Sequence, residues 1–204
     1  FTNKKNISRL YPSWELLPYE NLSPHTEVSG ERMEILNLLQ FNKSLLIVIP
    51  VEGLMQCVIP RSELLDSTFS IKQGENLERE FFETCLFDNG YERIAMVERR
   101  GEYSVRGDIV DFFPPVLVNP IRVEFFDDVV ESVREFDINS QISLKEIEKI
   151  DILPLKEVSM TGRQRDIGLK KIIQLAKKQN CDPIELKELV GKIVHEVNFG
   201  GMEQ

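Results

Sequence analysis

The side chains with the most potential for chemistry lie between Gly101 and Asp137. Asp108, Asp111, Glu124, Asp127 and Asp128 are the carboxylates that two-metal phosphoryl transfer would need, were they to converge. Read as one strand, Val105 to Pro114 sends Asp108 and Asp111 to opposite faces, and no Lys stands near to assist. Val123 to Asp128 has the form of an apolar strand ending in a metal-binding acid pair. The chain nowhere holds Gly-x-x-x-x-Gly-Lys-Ser/Thr, however, so no backbone cradle for phosphates accompanies that pair, and Asp127-Asp128 reads as a turn. His25 and His195 are isolated. Cys57, Cys85 and Cys181 are far apart with no Cys-x-x-Cys, which argues against a zinc or dithiol site. Arg106-Gly107-Asp108 matches an adhesion tripeptide by chance. No metal or cofactor is expected in this chain.

Recognition is the other chemistry open to these residues. Arg106 and Arg122 interrupt apolar strands, and Phe125-Phe126 puts an aromatic on each face. From Ile121 onward, alternation places Ile121, Val123 and Phe125 on a core face and Arg122, Glu124 and Phe126 on the other. An exposed Phe near Arg and Glu has the composition of an interface hot spot. The competing reading folds Phe126 under a loop and pairs Arg122 within the sheet. Composition leaves both open.

The elements that must position these residues can be read from periodicity and turn chemistry. Runs of Val, Ile, Phe and Tyr are separated first by Pro114-Pro115 and Asn119-Pro120, then by Asp127-Asp128, which predicts an antiparallel meander. Its register must bring Arg106 beside Arg122. Before it, Thr68 to Lys72 alternates, Glu75 to Asn89 is a predicted helix with Leu77, Phe81, Cys85 and Leu86 on one side, and Ile94 to Arg99 alternates again. Ile150 to Pro154 closes the sheet region. Towards the N-terminus, Ile7 to Pro12 suits a short strand, Trp14 to Tyr19 an ordered loop, and Ser29 the cap of a helix reaching about Phe41. Leu45 to Pro50 is a continuous apolar run that suits a strand buried on both faces, followed by a short helix near Gly53 to Cys57 and a linker helix or turn over Arg61 to Ser67. The end of the chain is helical. Asp166 to Gln179 is one helix; Asp182-Pro183-Ile184-Glu185 opens another with a capped start, ending at Gly200-Gly201. Together these predict an α/β piece, then a small α+β unit with an antiparallel sheet, then a helical tail.

Composition bounds the partners. The chain has 204 residues, a net charge of −9, 42% hydrophobic and 29% charged residues, values that permit a core but argue against a duplex-binding module. Tyr91 to Asp137 carries six basic and eleven acidic residues, and Leu155 to Gln204 nine basic and seven acidic, the latter explained by solvated helix faces. Few, scattered cysteines suit a reducing cytoplasm. The longest apolar run is too short to cross a bilayer. With Phe1 at the start and no signal-like segment after it, the chain is expected to be a fragment of a longer protein.

Val105-Arg106-Gly107-Asp108-Ile109-Val110-Asp111-Phe112-Phe113-Pro114, then Ile121 to Asp128, then Glu131-Ser132-Val133-Arg134-Glu135-Phe136-Asp137, resembles the partner-binding domain shared by the excinuclease protein UvrB and the transcription-repair coupling factors (Mfd). Trp14 to Glu20, Ser23-Pro24-His25, Glu31-Arg32, Gln141 to Pro154, and Ser104 where UvrB often carries Arg, look like the coupling factors. The resemblance implies that residues 1–67 are the C-terminal part of a degenerate RecA-like, ATPase-like domain. It makes 68–154 the domain that binds the excinuclease protein UvrA, and 155–204 the helical start of a further domain. It implies a non-catalytic adaptor that recruits nucleotide excision repair to RNA polymerase stalled at DNA damage in the bacterial cytoplasm. Arg106, Arg122 and Phe126 stand at the family's contact positions, with Glu124 and Arg134 as additional candidates. ATP and Mg, RNA polymerase and DNA would be served by other parts of the parent, and a C-terminal domain of the parent would mask this surface. The alternative is a fragment of a UvrB-type helicase-like ATPase.

Overall fold

The computed structural model describes residues 7–16, 24–41, 45–157, 162–179 and 181–195. The chain opens with β1 (Ile7–Leu10), α1 (Thr26–Phe41), β2 (Leu45–Val48), α2 (Val51–Met55) and α3 (Arg61–Ser67). Strands β1 and β2 pair in parallel, Ile7 opposite Leu45 and Leu10 opposite Val48. Burial on both faces of β2 does not hold: Leu46 is 59% exposed and Val48 56%, while Leu45 and Ile47 are half-buried. A strand is buried twice only when layers cover both faces, and among the described residues one face of this pair has no cover. Helix α1 starts at Thr26, after Pro24, so Ser29 is not its cap. Ser29 lies inside the first turn and donates its N–H to His25 O at 3.0 Å.

A buried cation ties this first part together. Arg32 on α1 has no exposed surface. Its Nε and Nη2 donate to the two carboxylate oxygens of Glu157, the latter at 3.1 Å. Its Nη1 donates to Pro12 O at 2.7 Å and to Gln56 Oε1 at 3.0 Å. The guanidinium lies 4.3 Å from the Tyr11 ring centroid and 5.2 Å from that of Trp14, whose indole N–H donates to Glu157 at 2.9 Å. Burial, with the Glu157 charge adding to it, pushes the Tyr11 hydroxyl up to about 12. Segments far apart in sequence are thus held by one charge whose hydrogen bonds are answered, the condition under which a buried ion is tolerated.

The remainder of the chain builds the sheet that matters for function. Its elements are β3 (Phe69–Lys72), α4 (Arg79–Asp88), β4 (Glu92–Arg93), β5 (Glu102–Arg106), β6 (Ile109–Phe112), β7 (Ile121–Phe126), β8 (Val129–Phe136), β9 (Ser143–Glu146) and β10 (Lys149–Ile152). Strands β4 to β9 form one six-stranded sheet in sequence order, antiparallel except for β4 with β5; β10 pairs with β3 apart from it. The meander therefore has one more strand than expected. The run from Val105 to Pro114 does not continue straight but folds back at Gly107-Asp108, with Gly107 at φ +62°. Ile94 to Arg99 is not a strand. Glu102 Oε2 accepts N–H bonds from Glu98 (2.8 Å) and Arg99 (2.7 Å) and closes that segment as a loop.

Helix α4 covers one face of the sheet. It begins at Arg79 rather than Glu75, because Leu77 is held in an extended segment by its N–H bond to Asp128 O. The inward stripe is consequently Phe82 and Leu86, while Phe81 is 52% exposed. Phe82 packs edge-on against Phe112 at 5.8 Å and tilted against Phe125 at 5.9 Å. Ile121, Val123 and Phe125 are all buried in this core, as alternation predicts. The last described elements are α5 (Gly162–Gln179) and α6 (Pro183–His195). Asp182 caps α6 as predicted, its Oδ1 accepting the N–H of Ile184 at 2.8 Å; the expected stop at Gly200-Gly201 lies outside the described residues. Among the described residues no helix is long and apolar enough to cross a membrane.

Glu157→Gln leaves the Arg32 charge buried without a counter-ion. It is expected to cost about 3 kcal/mol in urea denaturation, whereas Glu148→Gln, in an exposed pair with Lys72, should stay within about 0.5 kcal/mol of wild type.

Candidate protein interface around Asp111

The face of the sheet opposite α4 is organised by one carboxylate. Asp111 stands in a cross-strand row of five, opposite Ser104 on β5 and Arg122 on β7; Arg122 in turn stands opposite Arg134 on β8, and Arg134 opposite Glu146 on β9. The Asp111 side chain is 2% exposed. Arg122 meets it as a fork, Nε to Oδ1 at 2.7 Å and Nη2 to Oδ2 at 2.9 Å. Arg106 Nη2 reaches the same Oδ2 at 2.5 Å. Two guanidinium groups on one buried carboxylate answer its lone pairs with charge-assisted bonds, the strong kind.

The two arginines are not neighbours. The expectation that register sets Arg106 beside Arg122 fails because β6 runs between their strands; Arg106 is opposite Ile109, and the side chains converge only on Asp111. Asp111, weighed from sequence as a metal ligand, is the residue whose role went unseen. Its signal was available: Gly107-Asp108 between Val105-Arg106 and Ile109-Val110 is a two-residue hairpin turn with Gly at the position that needs φ above zero. That turn sets β5 against β6 and so places Asp111 opposite Ser104, a pairing that a straight strand from Val105 to Pro114 does not contain.

The arginines differ in what they have left to offer. Arg122 is 13% exposed. Its guanidinium lies 4.5 Å from the Phe136 ring centroid, and its Nη1 and Nη2 donate to Gln141 O (3.4 Å) and Gln141 Oε1 (3.1 Å). Gln141 is held in the left-handed region, at φ +62°, which aims both its oxygens inward. The Asp111 hydrogen bonds, chiefly, hold the Arg122 guanidinium more firmly protonated than usual. Arg106 is 44% exposed and gives Asp111 a single nitrogen. Arg134 faces Arg122 directly across the strands, a repulsive juxtaposition. Carboxylates relieve it: Arg134 Nη2 lies 3.1 Å from Glu124, its Nε 3.9 Å from Glu146, and Glu124 also accepts the Ser132 hydroxyl at 2.7 Å. The candidates Glu124 and Arg134 are therefore partners of each other.

Phe126 takes the exposed side of the open question, at 68% exposure, while Phe125 is buried at 4%. It pairs across the Asp127-Asp128 turn with Val129, itself 40% exposed. The Phe125 N–H donates to Asp108 O at 2.8 Å, which brings the β5–β6 turn alongside the end of β7. Arg106 and Phe126 thus stand at the same end of the sheet. Among the described residues no group of three or more His, Cys, Asp or Glu side chains is placed to hold a metal ion. The exposed end of this face presents the free donors of Arg106 and one bare aromatic, Phe126.

The unequal burial predicts a split in stability. Arg122→Ala removes the fork and the stack and is expected to cost about 2 kcal/mol by chemical denaturation, while Arg106→Ala and Phe126→Ala should each change stability by about 0.5 kcal/mol or less.

Comparison with known proteins agrees with the sheet as the centre of the chain. Residues 69–157 match the family model of the UvrB interaction domain. The chain is 35% identical over 187 residues to the transcription-repair-coupling factor of Escherichia coli (strain K12), which covers 92% of this chain and 16% of that protein. It is 38% identical over 148 residues to that of Haemophilus influenzae, covering 72% of this chain and 13% of the relative. It is 32% identical over 163 residues to that of Bacillus subtilis (strain 168), covering 80% and 14%. The chain spans no more than 16% of the length of these relatives. The sheet built around Asp111 carries the UvrB interaction domain, within a chain that corresponds to one segment of the transcription-repair-coupling factors.

Proposed function

We propose that this chain is a non-catalytic docking module that binds the excinuclease protein UvrA through the Asp111 face. In a longer parent it brings nucleotide excision repair to RNA polymerase stalled at DNA damage. The observation that carries this reading is the pairing of a 68%-exposed Phe126 with the half-exposed guanidinium of Arg106 at one end of an otherwise well-packed sheet. Interfaces concentrate their energy in such aromatic and Arg anchors. Phe126 enters a pocket from which water is excluded. Arg106 gives its remaining N–H donors to a carboxylate of the partner, which its planar fork suits better than an ammonium would. Glu124 and Arg134 form the polar rim, and Arg122 holds the centre.

In the same reading, residues 1–67 belong to a degenerate ATPase-like domain and 155–204 begin a further domain. ATP and Mg, DNA and RNA polymerase engage other parts of the parent, and the parent's C-terminal domain covers this face in the intact protein. The location is the bacterial cytoplasm.

Isothermal titration of purified UvrA into the chain tests the assignment. The double variant Arg106→Ala, Phe126→Ala should weaken binding by about 2 kcal/mol or more, ~30-fold, with an unchanged melting temperature. Wild-type affinity in that variant removes the face from the interface.

A further inference from the structure

We infer that Asp111 is the positioning residue of this face: its buried carboxylate fixes the Arg106 guanidinium in the posture in which it meets a partner. The consequence for binding rests on the docking reading above; the ordering of Arg106 does not.

Arg106 is the last residue of β5, at the edge of a turn, and its side chain is 44% exposed. An Arg so placed ordinarily samples many rotamers, and that freedom is lost on binding. Here Nη2 is drawn 2.5 Å from Oδ2 of a carboxylate that is itself 2% exposed. The anchor therefore lies at the buried end of the guanidinium and leaves other donors at the exposed end. The carboxylate does not turn to follow Arg106, because Arg122 grips it as a two-point fork. Arg122 is held in turn by the Phe136 ring beneath it and the two oxygens of Gln141. The order of support runs from Phe136 and Gln141 to Arg122, from Arg122 to Asp111, and from Asp111 to Arg106. Arg106 has far more donors to spare, one of its five N–H groups being engaged by Asp111 against four of five on Arg122 engaged by Asp111 and Gln141, so Arg122 acts mainly as a strut and Arg106 as the contact.

A simple charge account predicts the opposite outcome from positioning. A partner that meets Arg106 offers an anion, and Asp111 repels anions, so loss of its charge alone would strengthen binding. If Asp111 acts by aiming Arg106, the same loss weakens it.

Asp111→Asn keeps the shape and removes the charge. Nitrogen-15 relaxation of arginine side chains should show Arg106 Nε as ordered as Arg122 in the wild-type chain and far more ordered than the exposed Arg99. In Asp111→Asn, Arg106 should move to the Arg99 level. Arg106 already at that level in the wild type overturns the inference, with no variant needed. So does an Arg106 that stays ordered without the Asp111 charge. Titration of UvrA should show Asp111→Asn binding about 10-fold more weakly, and less than about 3-fold more weakly when introduced on top of Arg106→Ala. Equal or tighter binding by Asp111→Asn, or additive losses, also overturns it. Wild-type chain that does not bind UvrA removes the docking reading, and the relaxation measurements then decide the role of Asp111 by themselves.

Discussion

A carboxylate in the interior of a sheet face is stable only if its charge is matched at close range, and Asp111 imposes that condition on the strands around it. It stands on β6 between the strands of its two cations, with Phe112 and Val110 beside it in sequence. Because side chains alternate, a slip of one residue along β6 would turn the carboxylate into the core of Phe82, Phe112 and Phe125 and turn an apolar residue out. The ion triplet thus favours the same register as the aromatic core does. The repulsion between Arg122 and Arg134, which face each other across β7 and β8, is tolerable for the same reason: each turns to a different carboxylate.

The strand that carries Arg122 and Phe126 is also braced from outside the sheet. Arg100 pairs with Glu27 of α1 at 2.5 Å, donates to Leu117 O at 3.2 Å and lies 5.4 Å from the Phe113 ring centroid. Those contacts hold the Pro114–Pro120 loop that feeds β7. On α1, Gly30 faces Pro115 so closely that a Cβ would collide with the proline ring, so the helix reaches the loop only because that position is glycine. Two residues on, Arg32 bonds to Glu157 beyond β10. Helix α1 therefore grips both the entry to the site strand and the exit from the sheet.

This arrangement separates what holds the face from what the face presents. Phe136, Gln141, Arg122 and Asp111 spend their interactions on each other and are largely buried. Phe126 stands in solvent, and Arg106 commits one of its nitrogens to Asp111. A partly committed cation has less freedom left to lose in any contact than a loose Arg would.

Much of the local structure can be read along the chain because it depends on near neighbours. Alternation sorts Ile121, Val123 and Phe125 from Arg122, Glu124 and Phe126, and Asp182-Pro183 marks the start of α6; the bounds of α3 also agree. The start of α4 is not legible in this way, because a contact from elsewhere decides it, the Leu77 bond to Asp128 O. Which Arg is buried and which is half-exposed cannot be read at all. Residue types and alternation put Arg122 on a polar face, and that much the sequence determined alone. The hairpin at Gly107-Asp108 is written there too, in two residues easily taken for strand. The meeting of Arg106 and Arg122 on Asp111 was decided only by the pairing of three strands, since charge attraction acts through space and one strand of separation changes which residues are neighbours.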